Sequence, residues 1–167
     1  GGKTTLTQEF IVNGSVDTGI YTLPITLRYQ KADGTTVTDT LTASLVVVLP
    51  PRLSLDLQSP LPTETNLGEP LFLTLGITNR GRKAVNFNTA TVTTDNGEVI
   101  EGAETFLGEL RADDDTTLTT NIMPSDIGPM KITISLNYTD DLNKPQTIVK
   151  EYEVLVVEPP PIPTFEP

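Results

Sequence analysis

Three consecutive acids, Asp113, Asp114 and Asp115, and a second acidic step at Asp140 and Asp141 are the residues best suited by type to chemistry. Clustered carboxylates are what a hard cation such as calcium coordinates. A dedicated calcium loop spaces its ligands as Asp-x-Asp-x-Asp-Gly with a distant Glu, and neither cluster does. Solvated turns are the expected role; no metal is assigned, and Asp113, Asp114, Asp115 and Asp140 are the calcium candidates. Paired carboxylates also hydrolyse glycosides, and 22 acidic side chains make many pairs. Aromatic residues are only 5% of the chain and Trp is absent, so no aromatic-lined sugar cleft is indicated. Tyr21, Tyr29, Tyr138 and Tyr152 are the candidates for sugar stacking, but their place in the strand pattern below predicts rings packed inward with hydroxyls at a polar rim. Asn13-Gly14-Ser15 and Asn137-Tyr138-Thr139 match the N-glycosylation triplet, which at this length is expected by chance.

What is missing narrows the chemistry further. The 167 residues contain no His and no Cys, which removes Ser/His/Asp and Cys/His triads, thiolates, disulfides and His- or Cys-held zinc, copper or haem. No catalytic residue and no cofactor are expected, and the chain reads as a non-enzyme. A net charge of −11 repels phosphate backbones, so nucleic acid is not an expected partner. No apolar run reaches the 18 or so residues of a membrane span. The start, Gly1-Gly2-Lys3-Thr4, is no signal peptide and reads as a cut or tag remnant of a longer protein. Zero Cys suits a reducing compartment or a prokaryotic surface, and abundant Thr with few Lys and Arg leans towards the surface.

The elements that must position these residues are strands. Tyr21, Leu23, Ile25, Leu27 and Tyr29 alternate with polar or small neighbours, as do Leu53, Leu55 and Leu57, then Leu71, Leu73, Leu75 and Ile77. Leu118, Thr120 and Ile122, and then Met130, Ile132, Ile134, Leu136 and Tyr138, follow the same period of two, which places one side chain in every two on a common face. Pro24 lacks the amide hydrogen that a ladder needs, so its strand belongs at an edge. Asp33-Gly34, Asn79-Arg80-Gly81, Asp95-Asn96-Gly97 and Asn143-Lys144-Pro145 punctuate the pattern as turns.

Residues 19–51 superpose on residues 128–160 at a constant shift of 109 with no gap. Gly19 matches Gly128, Ile25 matches Ile134, Leu27 matches Leu136 and Tyr29 matches Tyr138. After a three-residue slip, Thr4-Thr5-Leu6-Thr7 matches Thr116-Thr117-Leu118-Thr119. A period of about 110 residues is one sandwich of two antiparallel sheets. Residues 51–160 are then one complete copy, residues 1–50 the last three strands of another, and residues 161–167 a Pro-rich tail read as an extended linker. Three strands leave an inner face unfilled, to be covered by the second domain, by association of two chains or by strands of a longer parent protein; intermolecular pairing through residues 4–49, including a homo-oligomer, is expected of the isolated chain.

The run Leu67-Gly68-Glu69-Pro70 into Asn79-Arg80-Gly81, then Phe106-Leu107-Gly108-Glu109-Leu110, then Ile127-Gly128 before the strand ending at Tyr138, resembles the bacterial and archaeal S-layer-like and cell-adhesion-related (CARDB-like) immunoglobulin-like repeats. The resemblance covers about 61–157 as a full unit and 4–49 as the back half of another. It departs at Asp113-Asp114-Asp115, where the pattern usually turns through Pro-Gly. It implies an all-β immunoglobulin-like β-sandwich, one complete domain preceded by the C-terminal half of a second copy. It also implies a spacer, scaffold or adhesion module of an extracellular or cell-surface prokaryotic protein. The partners would be neighbouring repeats, a surface protein or a glycan; the alternative is a carbohydrate-binding accessory module of a secreted enzyme. Asn79 and Gly81 are expected to shape a turn, with Gly81 at a positive backbone angle and the Asn side chain bonded back to the main chain. Gly19 and Gly128 are expected where the chain bends into a strand.

Overall fold

The computed structural model describes residues 3, 5 and 7–161. It divides the chain into two units, Gly1–Leu49 and Pro50–Pro167.

In the second unit every alternating run becomes a strand with one dry face. β5 (Leu71–Asn79) buries Leu71, Leu73, Leu75 and Ile77, and β9 (Asp115–Met123) buries Leu118 and Ile122. These two strands pair antiparallel and are flanked by β3 (Leu53–Leu57) and β7 (Glu98–Glu101) in a four-stranded sheet ordered β3-β5-β9-β7. The facing layer centres on β10 (Gly128–Thr139), which buries Met130, Ile132, Ile134, Leu136 and Tyr138. Around it lie β4 (Glu64–Asn66), β6 (Val85–Thr94), β8 (Glu104–Leu110) and β11 (Pro145–Val157), in the order β4-β11-β10-β6-β8. The inward side chains of both sheets form one core cluster. Each fully buried Leu, Ile or Met there stabilises the fold by roughly 1.5–3 kcal/mol relative to exposure. All four turn signals fall between consecutive strands.

β6 breaks the period of two. Val85 and Phe87 point inward, and then Ala90 and Val92 do, because the register against β10 shifts between Leu136 and Tyr138. The extra residue of this bulge moves the inward set from odd to even positions.

The first unit holds β1 (Gly19–Gln30) and β2 (Thr36–Val47), an antiparallel hairpin. Its register repeats that of β10 and β11 residue for residue. Gly19 faces Val47 as Gly128 faces Val156, and Gln30 faces Thr36 as Thr139 faces Pro145. The turns match as well: Lys31 N donates to Thr35 O and Gly34 N to Lys31 O, while Asp140 N donates to Lys144 O and Asn143 N to Asp140 O. Gly34 (φ 85°) and Asn143 (φ 59°) fill the same left-handed position, which Gly accepts freely and Asn better than most residues.

One sequence expectation needs correction here. Residues 1–50 were expected to give three strands, but the described residues among them form two; Thr5 and residues 7–18 carry no strand, and Thr4 and Leu6 lie outside the described set. Without a facing layer in its own unit, the segment before Gly19 lacks the apolar partner that β5 gives to β9. Of the Pro-rich tail, residues 162–167 lie outside the described residues, so the linker expectation falls largely on them.

Candidate functional site

Asn79, at the end of β5, is fully buried and makes the densest polar junction of the second unit. Its Nδ2 donates to Lys83 O (2.7 Å) and Leu110 O (3.0 Å), and its Oδ1 accepts from Gly81 N (2.9 Å). Its main chain completes the knot, with Asn79 N donating to Asp114 O and Asp113 N donating to Asn79 O. The carboxamide thus ties the β5–β6 turn to the end of β8, while the main chain of the same residue ties it to the acidic turn before β9.

Gly81 does not take the positive backbone angle expected of it, since its φ is not among the positive ones. Glycine is required there for space: a Cβ would stand 3.0 Å from Asn79 Oδ1. Of the two strand-opening glycines, Gly128 has φ 133° and Gly19 has no positive φ, so their sequence equivalence does not extend to conformation.

The acidic side chains are turn formers. Asp113 adopts φ 63° and is exposed with Asp114 and Asp115. Asp140 accepts from the main-chain N of Leu142 and of Lys144 (both 2.9 Å) through Oδ1, and from Gln146 Nε2 (3.0 Å) through Oδ2. Asp141 meets Lys83 Nζ at 3.2 Å. Among the described residues no three acidic side chains converge on one point. Millimolar calcium is accordingly expected to leave the melting temperature unchanged; a calcium-dependent rise would show a site assembled from these loops.

The Lys144 amide, with Gln146 and the Leu142 amide, holds the Asp140 carboxyl below the usual carboxylate pKa. A lowered folded-state pKa adds stability that is complete above the ordinary carboxylate value of about 3.9 and fades as pH falls through the folded value. Asp140→Ala should therefore lower the urea midpoint at pH 7 and narrow the gap to wild type below about pH 4. An equal gap at both pH values would contradict this account of the turn.

The tyrosines separate by unit. Tyr138 lies in the core, edge-on to Phe87 with ring centroids 6.2 Å apart, and burial followed by the Asp140 charge raises its pKa. Tyr152 is half-buried against the core, with Lys150 Nζ 5.9 Å from its ring centre. In the first unit Tyr21 donates to Asp17 O (2.8 Å), and Tyr29 donates to Asp39 Oδ2 (3.0 Å), the bond that chiefly raises its pKa. Tyr29 is 46% exposed, whereas its counterpart Tyr138 is 8% exposed. In the glycosylation triplets, Asn13 Oδ1 accepts from Ser15 N and Oγ, and Asn137 Oδ1 accepts from Thr147 Oγ1.

A shallow groove of about 620 Å³ runs between β4 and the start of β5, bordered by Glu64, Asn66, Glu69 and Phe72. Asn66 Nδ2 donates to Glu69 Oε2 (2.7 Å), and Phe72 is 65% exposed. Across the ladder from Phe72 stands Asn121, whose buried Oδ1 has no hydrogen-bond partner. Sequence reading missed this pair, although an aromatic on the polar side of an alternating strand was the available signal.

Two facing sheets, antiparallel except for the short parallel pair β4–β11, share an aliphatic core and make the second unit an immunoglobulin-like β-sandwich, a module type found within larger proteins. No protein-family model matches the sequence, and no curated protein matches it. Among solved structures, native Escherichia coli alpha-2-macroglobulin aligns with a TM-score of 0.51 at 20% identity, over 85% of this chain and 8% of that one. The CARDB domain of a Pyrococcus furiosus protein, in complex with di-metal ions, aligns at 0.46 and 17% identity over 64% of this chain and 89% of that one. A Listeria innocua beta-glucosidase aligns at 0.40 and 19% identity, over 64% and 16% of the two chains. The likeness is one of fold, and it rests on the first of these.

Proposed function

We propose that this chain is a non-catalytic spacer, scaffold or adhesion segment of a larger prokaryotic cell-surface protein, of the S-layer-like and cell-adhesion-related kind, working through sheet edges and loops. The observation that carries the reading is the duplication: one hairpin occurs twice, in the same register and with the same turn bonds. Tandem copies of a small sandwich set distance and present surfaces, and each needs contact only with its neighbours. Neighbouring repeats of the same polypeptide are the first partners, with a surface protein or glycan, or a second copy through residues 4–49, beyond them. Antibodies raised against the chain should label intact cells of the source organism, and protease added to those cells should remove the label. Labelling that requires permeabilised cells would overturn the surface assignment.

Phe72, exposed on a groove bordered by Glu64, Asn66 and Glu69, favours a second reading, a carbohydrate-binding accessory module, since sugars are held by an exposed ring and nearby polar groups. Saturable binding in a glycan screen, lost in Phe72→Ala, would establish it. Silence across neutral and acidic glycans would leave the spacer reading.

A further inference from the structure

We propose that the inner face of β1 and β2 is half of a second sandwich core, whose other half is a Leu/Ile-faced antiparallel sheet of the β3-β5-β9-β7 kind carried by strands that precede Gly1 in the same polypeptide. The inference rests on strand register and not on the surface role proposed above.

The cross-strand pairs Tyr21–Leu45, Leu23–Ala43 and Ile25–Leu41 place one apolar face on the hairpin. In the second unit the matching face of β10 and β11 is dry: Met130, Ile132, Ile134 and Val156 are fully buried under the opposite sheet. In the first unit Tyr21 and Ile25 are exposed where Met130 and Ile134 are buried, Val47 alone of that face is buried like its counterpart Val156, and the described residues of that unit supply no second layer. The apolar face is retained at most of the matching positions, Asp39 in place of Ile148 being the exception near the turn; such a face has no use in water, so a layer of like composition belongs over it.

The hairpin edges agree. β10 is bordered by β6 and β11 by β4, whereas within their own unit β1 and β2 pair only with each other. A shift of 109 residues maps the β4 partners of β11 onto Val46, Val47 and Val48, and Val46 and Val48 are exposed. The segment before β1 fits the end of the missing layer: the slip that aligns Leu6 with Leu118 sets Phe10 at the position of Ile122. Phe10 is 58% exposed and Ile122 fully buried. The occupant is thus a sheet to which the segment around Phe10, not itself a strand in this structure, would add the last strand. A second copy of the hairpin would cover the face but would offer Phe10 no partner strand.

The test compares this chain with the chain extended by the roughly 60 residues that its gene encodes before Gly1, the remainder of one sandwich. Amide exchange over residues 19–47 should slow on the order of 100-fold in the extended chain, at any protein concentration. Ile25→Asp should abolish the slowing, while Thr26→Asp, on the opposite face, should leave it intact; residues 128–157 serve as the internal reference in both variants. Unchanged exchange in the extended chain would overturn the proposal. So would protection of the short chain that grows with concentration, which would make a second copy the occupant.

Discussion

Asn79→Ala is expected to destabilise the second unit by on the order of 2–3 kcal/mol, because it strips the partner from the buried Leu110 carbonyl and from two part-buried groups of the β5–β6 turn. The side chain is fully buried and makes three hydrogen bonds, so its loss orphans Lys83 O, Leu110 O and Gly81 N together. Asn79→Asp keeps the shape but turns an oxygen with no hydrogen to give towards the two carbonyls, in a place where a charge is poorly solvated. It should be at least as damaging at pH 7. Asn137→Ala is the control, since that side chain makes one exposed bond, to Thr147 Oγ1, and should cost less than about 1 kcal/mol. Urea titrations give the comparison directly. A cost for Asn79→Ala no larger than that of the control would mean the carboxamide does not hold the β5–β6 turn and the end of β8 together.

The second large effect is an asymmetry between copies. Ile134→Ala opens a cavity beneath a fully buried side chain and should cost about 2–5 kcal/mol. Ile25→Ala makes the same change at the matching residue of the same hairpin, yet Ile25 is 41% exposed, so its cost should stay below about 1 kcal/mol. Leu136→Ala and Leu27→Ala should differ in the same sense, since Leu27 is only half-buried. Amide exchange resolved by unit is the proper measurement, because a chain of two units need not unfold in one step. Equal costs at Ile25 and Ile134 would show that the hairpin of the first unit is already covered in the isolated chain.

The sequence revealed the strands whose pleat is regular. β1, β3, β5, β9 and β10 keep strict alternation because one face of each is mainly apolar, with Asn79 in β5 and Thr120 in β9 as buried polar members, and β11 could be reached through the repeat. β6 was hidden for a definite reason: the bulge changes its inward parity between Phe87 and Ala90, so no single period describes Val85 to Val92. β4 and β7, of three and four residues, are shorter than any periodic signal. At the candidate sites the roles of Asn79 and Asp140 followed from turn chemistry. The reason for Gly81 did not, because it lies in the distance to a neighbouring carboxamide and not in a dihedral angle. Phe72 was visible as a letter, but its exposure and its unpartnered neighbour Asn121 depend on pairing across β5 and β9.

The short strand β4 runs parallel to β11, with Glu64, Thr65 and Asn66 matched to Leu155, Val156 and Val157. Bonds from Leu155 N to Thr63 O and from Leu67 N to Val157 O extend the match beyond both ends of β4. Tension drawn through such a module from its opposite ends acts along these two strands in opposing directions. The rungs are then sheared together, whereas an antiparallel pair pulled from adjacent ends would open one rung at a time. Once β3, which precedes it and pairs with β5, has yielded, this segment of only three residues is therefore the one loaded in shear.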